Sequence, residues 1–279
     1  MSAFGFGAAN VVAKKTLENL SPQQTLVVVL ASGSTLLFML MIATGNTENM
    51  LPIIPMALVM ALLELASYLS LYKSFSIANL TVAVSILSTY PLFTFLIATG
   101  FLGENGDYYK LLSIVLIILG AILTSIDWQG VIRDGFDKRD LAKGLPWVLV
   151  TLGLYIVYFP LLSVFMDSGN WEPRLFLIKL FSLVFLIGGF ILTSKSQITI
   201  PKGKIFSTSL LGVLEVVGWI GLGVAFASTT KQAGSIIALS SIAPLFTAIG
   251  AYIFLKERLK SRQYIGVIVT LLGVIGLSV

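Results

Sequence analysis

The chain has 279 residues, of which 57% are hydrophobic and 11% charged, and its mean hydropathy is +0.97. No soluble domain of this size carries that balance, so the composition points to a polytopic membrane protein. Cysteine and histidine are both absent, which excludes disulfides, thiol nucleophiles, zinc sites built on those residues and any mechanism needing an imidazole. The net charge of +5 sits between apolar runs, as in loops facing an anionic leaflet, and does not suggest nucleic acid as a partner.

In chain order, apolar segments of spanning length are predicted at about 2–18, 23–43, 53–73, 77–101 and 108–126, and again at about 144–166, 174–193, 205–227, 233–255 and 262–279. No stretch combines a basic start, a short apolar run and a small-residue cleavage site, so the first segment is expected to remain as a membrane helix. The polar linker 127–143 mixes Trp128, Val131, Ile132, Phe136 and Leu141 with basic residues, a pattern that suits either a short amphipathic stretch in the interface or a solvated connector. The expected architecture is all-α: ten transmembrane helices, with a first five-helix repeat at 1–126 and a second at 144–279.

The repeat is written in the residues. Ser85 to Glu104, SILSTYPLFTFLIATGFLGE, returns at Ala238 to Glu257 as ALSSIAPLFTAIGAYIFLKE, so that Pro91 pairs with Pro244, Thr94 with Thr247 and Glu104 with Glu257. Earlier in each half Pro22 pairs with Pro173, Glu64 with Glu215, Tyr68 with Trp219 and Phe75 with Phe226. Later, Ser113 and Gly120 match Gly266 and Gly273, small residues that let the last helix of each half pack closely and that also offer faces for a homodimer. An odd number of spans per repeat inverts the second half relative to the first. Inverted repeats put a binding site near the bilayer midplane, where they meet, and permit alternating access.

Proline inside a helix leaves the carbonyl four residues earlier without its donor, here at Leu87 and Ser240, and in lipid that group must be satisfied by protein or water. Pro91 and Pro244 are therefore expected as kinks facing the interior, with Thr81, Ser85, Ser88, Ser235, Ser240 and Ser241 providing small polar faces beside them. Such residues serve both close helix packing and the lining of a substrate path.

PLFT-x6-FLxE in two copies, FGAANVVAKK near the start and LSP at 20–22 resemble the drug/metabolite transporter superfamily, in its ten-helix EamA-like branch. The resemblance implies export or exchange of amino acids, other small metabolites or drugs, and it carries over Pro91, Glu104, Pro244 and Glu257. Members usually have several more apolar residues ahead of a tryptophan-glycine pair that is here Phe6 and Gly7.

Glu64 and Glu215 stand near the middle of their segments, where a carboxylate costs roughly 2.5–3.5 kcal/mol to insert, so each is a candidate functional group. Tyr68 and Tyr72 follow Glu64, and Trp219 follows Glu215, on the same helix faces, which makes acids and aromatics the expected substrate walls and the two acids the expected proton-coupling site. Asn10, Tyr155, Tyr158, Ser85, Ser88 and Ser241 complete the candidate substrate site. Glu104 and Glu257 are expected as interfacial charges that end a span; Lys14, Lys73 and Lys179 are cations that could pair with Glu64 and Glu215 or, being near segment ends, snorkel to the interface.

Two function classes compete. A membrane-embedded enzyme acting on a lipid-linked substrate would also use paired glutamates, but the chain offers no histidine, no cysteine and no arginine within a span to hold a phosphate. Without a Walker lysine motif it does not draw directly on ATP, and no metal or other cofactor is expected. The expectation is a secondary transporter of small molecules in a prokaryotic cytoplasmic membrane. Of the 18 basic residues, 14 fall on the side of Lys14, Lys73 and the linker, so the positive-inside rule places both termini outside the cytoplasm, whereas the resemblance implies both inside.

Overall fold

The computed structural model describes residues 1–46, 49–77, 83, 86–125, 138–167, 169–193, 200–228, 232–254 and 261–278. The first half contains α1 (Ser2–Leu17), α2 (Pro22–Thr44), α3 (Ile54–Ile77, preceded by a 3-10 turn at Leu51–Ile53), α4 (Tyr90–Phe101) and α5 (Tyr108–Ser125). The second contains α6 (Lys138–Asp167), α7 (Trp171–Thr193), α8 (Lys202–Ser228), α9 (Ala233–Ser240), α10 (Ala243–Phe254) and α11 (Ser261–Ser278). Among the described residues, five helices are long and apolar enough to cross a bilayer, and four shorter apolar stretches accompany them. Most of the linker, including Trp128, Val131, Ile132 and Phe136, lies outside the described residues; its last residues, from Lys138, already belong to the backbone of α6.

Local chemistry fixes several ends. Ser21 caps α2, its side chain accepting from Gln24 N at 3.3 Å while the Gln24 side chain accepts from Ser21 N at 2.9 Å, with Pro22 in the first turn where its missing N–H is no loss. Gly45 (φ 69°) ends α2 and Gly103 (φ 72°) follows α4, both in the left-handed region that favours glycine.

Neighbour relations respect the duplication. Helix α1 packs along α8 and α10, and α6 along α3 and α4; α2 packs on α7 and α5 on α11. Exchanging the halves reproduces this pattern, as two inverted five-helix repeats require. The α5–α11 contact is close because its residues are small: a Cβ on Gly266 would meet Thr124 N at 2.6 Å, one on Gly120 would meet Thr270 N at 2.4 Å, and one on Gly273 would meet Ser113 O at 2.7 Å. Ser113, Gly120, Gly266 and Gly273 thus close one helix pair within the chain.

The prolines also differ from expectation. Each begins a new helix, with Pro91 and Pro244 both at the second position, after turns at Ser88–Thr89 and Ser241–Ile242. Spans four and nine are therefore broken helices, not bent ones. A break costs less than an interior proline, because the first turn of α4 or α10 has no intrahelical use for that N–H.

Candidate functional site

Glu64 lies nearly three turns into α3, and Glu215 lies mid-way along α8; both are buried. Their equivalence across the inverted halves brings them together, but with a third group between them. Lys179, on α7, places its Nζ 2.9 Å from Glu64 Oε1 and 2.8 Å from Glu215 Oε1, and is itself only 2% exposed. It begins more than two turns inside α7 and faces the protein, so of the two readings of this lysine the pairing with the acids holds and the snorkelling one does not. Lys73 is exposed, and the side chain of Lys14 lies outside the described residues.

The remaining lone pairs are filled unequally. Ser182 Oγ donates to Glu64 Oε2 at 2.8 Å. Glu215 Oε1 accepts from Lys179, from Trp219 Nε1 at 2.9 Å and from the Tyr68 hydroxyl, which in turn accepts from Lys179 at 3.1 Å. The Lys179 ammonium also sits 4.8 Å from the centroids of the Tyr68 and Trp219 rings. Glu215 Oε2 and the Tyr158 hydroxyl are buried with no hydrogen-bond partner. Two carboxylates against one ammonium leave the cluster one negative charge in excess when all three are ionised.

The cluster borders a cavity of about 180 Å3. Asn10, Glu64, Tyr68, Tyr72, Ser88, Tyr155, Tyr158, Glu215, Trp219 and Ser241 line it, as do Leu87, Ser240 and Pro244 at the two helix breaks and the aromatic Phe6, Phe75, Tyr90 and Phe159. Leu87 and Ser240 are the residues whose carbonyls lose a proline-blocked donor, so both interrupted ladders abut the same space. Ser85 and Thr81 lie outside the described residues. Pro91 is buried in α4 and is not part of the lining. From the glutamates the lining runs toward the ends of α1 and α3 that carry Lys14 and Lys73.

At the opposite end the halves are tied. Glu104, which follows Gly103, is 4% exposed; its Oε2 accepts from Gly234 N at 2.7 Å and its Oε1 from Ser235 Oγ at 2.8 Å and Ser235 N at 3.2 Å. A carboxylate of the first half thereby caps α9 of the second, where free N–H groups and the helix dipole favour an anion. This corrects the reading of Glu104 as an interfacial charge; Glu257, its repeat mate, lies outside the described residues. Gly234 permits the crossing, since a Cβ there would meet Phe95 Cα at 2.6 Å. Asn46 Nδ2 donates to the buried Glu172 at 2.8 Å and ties α2 to α7 at the same end.

A profile of the EamA-like transporter family matches residues 1–126 and 142–279. The chain belongs to the EamA-like transporter family. An "uncharacterized transporter" of Archaeoglobus fulgidus is 24% identical over 225 residues, covering 78% of this chain and 75% of that protein. A crystal structure of another protein aligns with a TM-score of 0.76 at 14% identity, covering 99% of this chain and 95% of that one, a likeness of fold. Membership makes this EamA-like chain an integral membrane transporter. Sequence reasoning named Lys179 among three lysines that could pair with the acids and could not choose between them; the structure pairs Lys179 with both.

Proposed function

We propose that this protein is a secondary transporter of small organic metabolites, an exporter or exchanger working by alternating access between its halves. The observation that carries the reading is the meeting of Glu64 and Glu215, one from each half, on a single cavity at their junction. Inverted repeats rocking about such a site expose it first to one side and then to the other. The cavity end is open to the lining described above while Glu104 and Glu172 tie the other end, which fits one facing state of such a cycle.

The same cluster is the proposed coupling site. Glu64 and Tyr68 face it from α3, Tyr158 from α6, Lys179 from α7, and Glu215 and Trp219 from α8. Its leftover negative charge sits in low dielectric, and loading a proton removes it while releasing the proton restores it. Substrate leaving one way as protons enter the other would be antiport, with Tyr68, Tyr72 and Trp219 as walls of the substrate pocket. A prokaryotic cytoplasmic membrane, with its proton gradient, is the setting this reading implies, and the archaeal relative supports it.

The test begins by comparing the metabolites of cells with and without the protein, then measures flux of the solutes that change in liposomes carrying the purified chain under an imposed pH difference. At least one of Glu64→Gln and Glu215→Gln should abolish accumulation against a gradient while the protein still inserts. Accumulation that survives in both single variants and the double variant would remove the coupling role. No solute flux above that of empty liposomes would remove the transporter reading.

A further inference from the structure

Every charge that lines the cavity among the described residues is acidic, belonging to Glu64 or Glu215. Lys179 cancels one of these charges from behind the wall, and no described cation cancels the other. Glu215 Oε2 is left without a donor. Aromatic rings make up much of the rest of the wall, those of Tyr72, Tyr90, Tyr155 and Phe159 among them. The protein already shows what such a surface holds, because its own ammonium rests against a carboxylate, a phenol and two ring faces within one cluster. The cavity, at about 180 Å3, is smaller than the roughly 300–1,000 Å3 of drug-sized pockets, so its occupant is a small molecule.

We infer that the cavity takes a small organic monocation, a protonated amine carried on a compact alkyl or aryl group, and that Lys179 limits it to one positive charge. This rests on the transport reading of the same site and deepens it. The amine's N–H groups meet the free oxygen of Glu215 after a small side-chain adjustment, and the tyrosine and phenylalanine rings of the wall cover its hydrocarbon. An anion would face an uncancelled carboxylate, and a neutral isostere would leave that charge unpaired. Lys179 is a specificity-determining residue here that the repeat itself does not call for, since its repeat mate on α2 is the buried Val28.

Calorimetric titration of the purified protein in nanodiscs with phenethylammonium, 2-phenylethanol and phenylacetate separates the charge types at nearly constant shape. The amine should bind at least about tenfold more tightly than the other two, and Glu215→Gln should reduce that preference by about tenfold. Lys179→Met should improve binding of the dication of 1,4-diaminobutane by a similar factor; should this variant not fold, the ligand series on the unaltered protein decides alone. Equal or tighter binding of the alcohol or carboxylate, or no binding of the amine, overturns the inference. Amine binding without flux in liposomes would leave it standing and remove the transport reading, whereas flux of a neutral or anionic solute without amine binding would do the reverse.

Discussion

Glu104 and Gly234 are joined by a 2.7 Å hydrogen bond from a backbone N–H to a buried carboxylate, across the junction of the two halves and at the end of the molecule away from Lys73. The bond is charge-assisted, and its partner sits at the positive end of a half-helix, so it is a candidate latch on that end.

Glu104→Ala should therefore loosen that end. It leaves the donors of Gly234 and Ser235 without their acceptor, at a cost of about 1–3 kcal/mol. Because the chain has no cysteine, Ala98→Cys, at a fully buried position on α4, is a clean reporter. A thiol reagent added from that side should modify it faster in the Glu104→Ala background; an unchanged rate would leave Glu104 as a packing contact only.

Lys179→Met should destabilise the folded protein by about 3–5 kcal/mol, because it leaves two buried carboxylates facing one another without their cation. Adding Glu64→Gln should recover part of that loss. Melting temperatures of the single and double variants in detergent give the coupling directly, and additive losses would show that the three groups do not act together.

Pro91→Ala and Pro244→Ala restore an N–H where the two broken spans are interrupted, and so favour continuous helices at the cavity. The hypothesis that the breaks let these spans bend during access switching predicts slower transport with little loss of substrate affinity. Normal transport rates in both variants would make the breaks packing features.

The duplication was legible because it repeats chemistry that is rare in a span: proline, a mid-span acid, an aromatic one turn later. Glu64, Glu215, Tyr68, Trp219 and Tyr158 were reachable from periodicity and meet on one cavity. Lys179 was legible only as one of three lysines able to pair with the acids, since its repeat mate is Val28 and no duplicated pattern singles it out from Lys14 and Lys73. Glu104 escaped for a different reason: its partners are backbone N–H groups of a helix 130 residues away, which leave no mark in side-chain pattern. The broken helices show a third limit, because a proline in an apolar run is compatible with both a bend and a restart, and only the flanking turn decides between them.

Leucine at position 266 should wedge α5 and α11 apart. The glycine there lies where any Cβ would meet Thr124 N at 2.6 Å and Gly120 O at 2.8 Å, and neither backbone atom can swing away. A loss of at least about 1–3 kcal/mol is expected, read as a lowered melting temperature, and an unchanged value would contradict the close approach.

Orientation is open to the same absence of cysteine. A single cysteine at position 135, in the linker that shares its side with most of the basic residues, should be labelled from the cytoplasmic side alone; labelling only from outside intact cells would reverse the assignment and place both termini in the cytoplasm.

Lys179 and Val28 together carry one more consequence. A carrier made of two chemically identical halves would have two empty conformations that mirror each other, and by symmetry neither would be preferred. Here the exchange of halves would set a valine where the lysine stands and a lysine where the valine stands, so the two empty conformations hold their acids in unlike surroundings. On the transport proposal an idle molecule of this protein would have a home side, and the Lys179–Val28 pair is one of the differences between the halves that would set it.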